Sequence, residues 1–100
     1  MGYPGPMGRT TLYEVLNGAM DDGTPRGIRP GEFLLVEEGP VALEDGGVYL
    51  VETPGGLHLR EARWGGAWRF VPWVEGYPVF PLEVVRVVGR VRGVVQYDPL

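Results

Sequence analysis

Residues 83–96 read EVVRVVGRVRGVVQ, and the two-residue period of that stretch decides the fold class. Val85, Val87, Val91 and Val95 fall on one side of an extended chain, with Gly89 and Gly93 interrupting. Arg86, Arg90, Arg92 and Gln96 fall on the other, between Val84, Val88 and Val94. Valine is stiff at χ1 and packs well on a pleated surface. The stretch therefore reads as a strand with an apolar core face and an Arg-bearing face. It is long for one strand, and Gly89 is expected to mark a bulge or bend that divides it.

The same alternation recurs upstream. In residues 47–53, Val48, Leu50 and Glu52 oppose Tyr49, Val51 and Thr53; in 57–63, Leu57 and Leu59 oppose His58 and Arg60. Between them Pro54-Gly55 fits the central positions of a type II turn, so the pair reads as a hairpin. Trp64-Gly65-Gly66 turns the chain into residues 67–73, where Trp68, Phe70 and Pro72 oppose Arg69, Val71 and Trp73. Residues 74–81 lose the period, because Tyr77-Pro78 and Phe80-Pro81 disfavour a regular ladder. Phe33 to Val36 is a continuous apolar run, which predicts a strand over 33–38 buried on both faces. Residues 11–16 alternate weakly and fit a strand or a short helix. The expected fold is mainly β: small twisted antiparallel sheets or a partly open barrel, with little or no helix. One domain is expected over 11–100, behind an N-terminal arm at 1–10 that is loosely held.

Composition excludes several chemistries. The chain has 100 residues, is 44% hydrophobic and carries a formal charge of −4, enough apolar material for one core and the wrong sign for clustered phosphate contacts. It contains no Cys, no Ser and no Lys; all nine basic residues are Arg. A disulfide framework, a thiolate or Ser nucleophile and a Lys base are thereby excluded within these residues. No apolar run reaches the length of a membrane span or a signal peptide, so the expected setting is the cytoplasm, with no cofactor, no membrane partner and no direct nucleic-acid partner.

Residues 17–38, NGAMDDGTPRGIRPGEFLLVEE, carry the functional question. A Gly18-Ala19-Met20 corner is followed by a polar loop with turn formers and then by the 33–38 strand. From Asn17 to about Gln96 the chain resembles the self-cleaving peptidase domain of the LexA, UmuD and lambda-type phage repressor group, a fold related to signal peptidases. The pieces that carry the likeness are Gly18-Ala19-Met20, where that group has Gly-x-Ser-Met; Gly27-Ile28-Arg29-Pro30-Gly31-Glu32 with Phe33 to Val36; and Glu44-Asp45-Gly46-Gly47 with Val48 to Val51. They continue with Leu57-His58-Leu59-Arg60-Glu61, Phe70-Val71-Pro72-Trp73 with Tyr77-Pro78, and Val84 to Val91. All six stand in the family's order over about four fifths of the chain.

The resemblance implies a Ser nucleophile at position 19 and a Lys base at position 60. The residues there are Ala19 and Arg60. Alanine has no attacking atom, and a guanidinium stays protonated. The expected protein is thus a degenerate, catalytically inactive member, with Gly18, Met20, Glu32 and His58 around a remnant cleft. The family's upstream DNA-binding domain and its cleavage-site linker have no counterpart before Ala19, which implies something other than a whole repressor. In that group the terminal strand helps to pair subunits, so a homodimer through 84–95 is expected, with Trp73, Arg86, Arg90 and Arg92 as a partner surface.

Other readings stay open. Thr24 as nucleophile with His58 as base would make an unconventional hydrolase, although a loop Thr and a lone His are more often structural. Glu32 with Asp22 or His58 would be a metal site, but one His with scattered carboxylates lacks ligand spacing. A small β-barrel binding domain unrelated to the family is the third. For the Arg row, the plain alternative is a solvated face or intrachain pairing with Glu37, Glu38 and Glu44. Among the aromatics, Trp68 and Phe70 read as core, Trp64 as a hairpin cap and Trp73 as an exposed contact.

Overall fold

The structure, a computed structural model, describes residues 9–95. Seven strands make one antiparallel sheet that does not close, and no α-helix occurs among the described residues. The strands are β1 (Thr10–Glu14), β2 (Phe33–Glu38), β3 (Val48–Thr53), β4 (Gly56–Trp64), β5 (Trp68–Val71), β6 (Phe80–Pro81) and β7 (Arg86–Val95). A 3₁₀ turn at Leu82–Val84 precedes the last of them. Their order across the sheet is β1-β2-β7-β3-β4-β5-β6. The mainly β class read from the alternation therefore holds, as a single sheet. Among the described residues no helix is long and apolar enough to cross a membrane.

Two cores lie on the two faces of this sheet. On one face Val15, Met20, Ile28, Leu34, Val36, Leu50 and Leu59 form a buried cluster, joined by Tyr13, Val48, Trp73, Val88, Val91 and Val94. On the other face Tyr49, Val51, Ala62 and Phe70 are buried, with Val41, Leu43, Trp68, Phe80, Val85 and Val87 against them. β3 contributes to both clusters, so its polar–apolar alternation is replaced by apolar residues on each side. The Tyr49 hydroxyl accepts from the Glu44 N–H at 2.9 Å and donates to the Ala42 carbonyl at 2.7 Å. It thereby fastens the 39–47 segment over the second cluster.

The long final strand departs from the single apolar face that its sequence predicts. Its register slips twice: Val88 is an extra residue against Leu50 and Val51 of β3, and Arg92 is an extra residue against Leu35 and Val36 of β2. Each bulge reverses which face the following side chains occupy. Val87 consequently packs in the second core, whereas Val88, Val91 and Val94 pack in the first, and Val95 is exposed. Gly89 does mark the break. A Cβ there would overlap the Glu37 carbonyl and lie 2.9 Å from Glu38 Cα. Gln96 lies outside the described residues.

β7 is also an interior strand. Its first half pairs with β3 and its second with β2, so the strands at the sheet's edges are β1 and β6. The expectation of a free edge over 84–95 is narrowed to half-strands: residues 86–90 pair with β3 and 89–95 with β2, so 91–95 carry a paired strand on the β2 side alone. β2 is likewise buried on one face only. Leu34 and Val36 are fully covered, but Phe33 is 45% and Leu35 37% exposed, because the second core does not extend beneath the outer strands. In the β3–β4 hairpin the left-handed residue is Gly56 (φ 121°) and not Gly55, so the connection is not a type II turn.

Candidate functional site

The corner after β1 is built from backbone hydrogen bonds closed by short polar side chains. Asn17 Oδ1 accepts from the Ala19 N–H at 3.0 Å, and the Gly18 carbonyl accepts from Asp21 at 3.0 Å. The Met20 carbonyl accepts from Ile28 at 2.8 Å, which closes the loop. Inside it Asp22 Oδ1 receives both the N–H and the hydroxyl of Thr24, at 3.0 and 2.6 Å. These bonds to Thr24 hold the Asp22 carboxyl below its usual range. Gly27 passes so close that a Cβ would stand 2.8 Å from Asp22 Oδ1. Glu32 closes the last turn, its Oε1 accepting from the Arg29 N–H at 2.7 Å.

Ala19 and Met20 are buried, and Met20 belongs to the first core. The Ala19 carbonyl accepts from the Trp73 N–H at 2.9 Å. Arg60 pairs with Tyr49 across β3 and β4, which directs its side chain to the second face, where it is only 1% exposed. Its Nε donates to the Pro78 carbonyl at 3.0 Å and one terminal nitrogen to the Leu59 carbonyl at 2.7 Å. The Phe80 ring lies 5.0 Å and the Tyr77 ring 6.0 Å from the guanidinium. Burial draws its pKa down, but a guanidinium remains a cation and donates only. The segment between β5 and β6 is thus tied at Trp73 to position 19 and at Pro78 to position 60.

His58 projects from the same face. Its Nε2 is 3.0 Å from Thr53 Oγ1, and its ring lies 4.8 Å from Phe80. Burial first, and the neighbouring Arg60 charge second, lower its pKa. Thr24 is engaged with Asp22 and His58 with Thr53; among the described residues no hydrogen bond joins them. No group of three metal-ligating side chains is assembled among the described residues either, and Glu32 and Asp22 serve their own turns.

Two shallow clefts meet at Val71, Pro72 and Trp73, beside the corner. One, of about 480 Å³, runs along residues 71–79. The other, of about 320 Å³, is lined by Asp22, Arg26, Glu61 and Arg63 around Trp73. Trp73 is half-buried. Its Nε1 donates to Glu61 Oε1, and Arg26 stacks over its ring at 4.7 Å. It is a packed wall of the cleft and not the exposed contact expected of it. Glu61, which also meets Arg63 at 3.3 Å, was missed as a site residue. Its place beside Arg60, on the opposite face of an alternating strand, was the available signal.

The Arg row is spent on intrachain carboxylates. Arg86 meets Glu52 at 2.8 Å, Arg92 meets Glu37 at 2.6 Å, and Arg90 pairs with Glu44 while lying over the Tyr49 ring. Glu38 takes the Thr11 hydroxyl instead, at 2.8 Å. Among the described residues the aromatic side chain left most open is Trp64, which packs tilted against Trp68 across the β4–β5 hairpin. Neither a protein-family model nor a curated protein sequence matches this chain.

Proposed function

We propose that this chain is a catalytically inactive LexA-like domain that works through protein association in the cytoplasm, as a regulatory component of a repressor or mobile-element system. The observation that carries the association is an apolar strip. Leu12, Phe33, Leu35 and Val95 are all exposed. The register sets Leu12 beside Leu35 and Phe33 beside Val95 on one face of the outer strands. Contiguous apolar surface of this kind is the usual mark of an interface. The likeness to the peptidase group rests on the six ordered sequence pieces, and one loop, 72–79, contacts position 19 at Trp73 and position 60 at Pro78. Inactivity follows from what those positions hold: a buried methyl group and a guanidinium whose donors rest on carbonyls.

Sedimentation velocity over a wide concentration range tests the association. The chain is expected to self-associate, and Leu35→Glu to weaken that association while leaving the circular dichroism unchanged. A strict monomer at the highest attainable concentration would overturn the reading. Fluorophosphonate labelling and peptide cleavage, each with a His58→Ala control, are expected to give no signal. Turnover that His58→Ala abolishes would replace inactivity with the hydrolase reading.

A further inference from the structure

The two edges of the sheet are unequal. β6 is only two residues long and contains Pro81, which has no N–H to offer, so that edge is blunted. β1 reads Thr-Thr-Leu-Tyr-Glu, with no Pro, no Gly and no cationic residue. Its hydrogen bonds show which of its groups are already engaged. The Arg9 carbonyl accepts from Glu38 at 2.8 Å, and the Val15 N–H donates to Glu32 at 2.9 Å. In an antiparallel ladder every second residue is turned toward the neighbour. With the β1–β2 register, residues 9, 11, 13 and 15 therefore face β2. The N–H and C=O groups of Thr10, Leu12 and Glu14 point out of the sheet, and among the described residues none takes them. Leu12 itself is 62% exposed.

We infer that this edge receives β1 of a second copy, antiparallel, about a twofold axis through Leu12. The inference rests on the association reading and names its partner. In that register Leu12 faces the Leu12 of the other copy, and Thr10 of each faces Glu14 of the other. All three outward N–H groups of each strand then find an outward carbonyl. An axis through Thr11 or Tyr13 would leave one outward residue opposite nothing in β1, and an axis through Glu14 would oppose two carboxylates. Only the Leu12 register matches every group, sets a hydroxyl against each carboxylate and aligns Leu35-Leu12-Leu12-Leu35 across the joint. The joined sheet sets the two apolar strips side by side on one face, with the two Leu12 side chains in contact across the joint.

Leu12→Pro tests the edge without breaking the fold, since the N–H it deletes is not used by β2, and proline is tolerated on an edge strand with its nitrogen outward. It is expected to raise the dimer dissociation constant by roughly a hundredfold, with the circular dichroism retained. Leu12→Cys supplies a second readout in a chain that has no cysteine of its own. Facing Cα atoms in such a pair stand roughly 5.5 Å apart, within disulfide reach, so mild oxidation is expected to give one cross-linked dimer. Thr10→Cys, which would lie roughly 14 Å from its mate, is expected to give none. A dimer indifferent to Leu12→Pro and not cross-linked by Leu12→Cys overturns this edge while the association reading stands. A chain that remains monomeric overturns both, and an oligomer cross-linked through Thr10→Cys refutes the register.

Discussion

Arg60 Nε donates to the Pro78 carbonyl at 3.0 Å, and among the described residues no carboxylate shares that guanidinium. A buried cation with carbonyl partners alone is costly to hold and more costly to strip of those partners. Arg60→Lys keeps the charge but loses the planar fork that reaches Pro78 and Leu59 together. It is expected to cost about 1–3 kcal/mol in urea denaturation. Arg60→Ala adds a cavity between Tyr77 and Phe80 and is expected to cost about 3–5 kcal/mol. If both variants were as stable as the parent, Arg60 would not be the anchor of the 72–79 loop.

Gly89 and Gly93 look alike in sequence and differ in their surroundings. A Cβ at Gly89 would meet Glu37 C and Glu38 Cα at 2.9 Å, all backbone, whereas one at Gly93 meets nothing within 4 Å. Gly89→Ala must push β2 away from β7 at a residue that is paired with β2 and β3 together. A loss of about 2–4 kcal/mol is expected. Gly93→Ala is expected to lie within about 0.5 kcal/mol of the parent, or slightly above it, because alanine restricts the unfolded chain. Thermal unfolding of the two variants side by side reads the contrast directly.

Trp73 holds the cleft wall by two different contacts, and they can be separated. Trp73→Phe keeps a ring beneath Arg26 but deletes the Nε1 donor to Glu61, with an expected cost of about 1–2 kcal/mol. Arg26→Ala keeps that bond and deletes the stacked cation, with an expected cost of about 0.5–1 kcal/mol. Urea denaturation of the single and double variants checks both values. A double variant less damaged than the sum would show that Arg26 and Glu61 hold Trp73 as one unit.

Much of this was legible in the residues, and the failures share a cause. Alternation located β3, β4, β5 and β7, because one covered face imposes period two on any strand. It could not place the two bulges in β7, since a bulge is set by how three strands with unequal lengths must meet. A glycine follows each extra residue, Gly89 after Val88 and Gly93 after Arg92, but neither extra residue has a special backbone, and only Gly89 was read as a break. Phe33 to Val36 read as doubly buried for the same reason. Continuous apolar sequence does not distinguish a strand between two cores from one that has a core on one side and a bare face on the other. At the corner, Gly18-Ala19-Met20 indicated a buried turn, and Ala19 and Met20 are buried. The grip of Arg60 on Pro78 was not legible, because it joins segments 18 residues apart through a carbonyl, a group present at every position.

The acid dependence of stability isolates His58. Burial and the adjacent Arg60 depress its pKa below the ordinary value of 6.5. The unfolded chain therefore takes up a proton at a higher pH than the folded one does, so protonation favours unfolding. Above the ordinary histidine range the group has no effect. As the pH falls through that range the folded state loses stability, and the loss continues until the depressed folded pKa is reached. Asp22 does not blur this window, since its carboxyl is lowered from a value of 3.8 and titrates at still lower pH. Denaturant midpoints measured between about pH 7.5 and about pH 5.5 are expected to fall for the parent. His58→Gln, which keeps a polar partner for Thr53 but cannot be protonated, is expected to remove most of that slope. A slope of equal size in the variant would mean that acid acts elsewhere, and that Phe80 and Arg60 do not shield this imidazole.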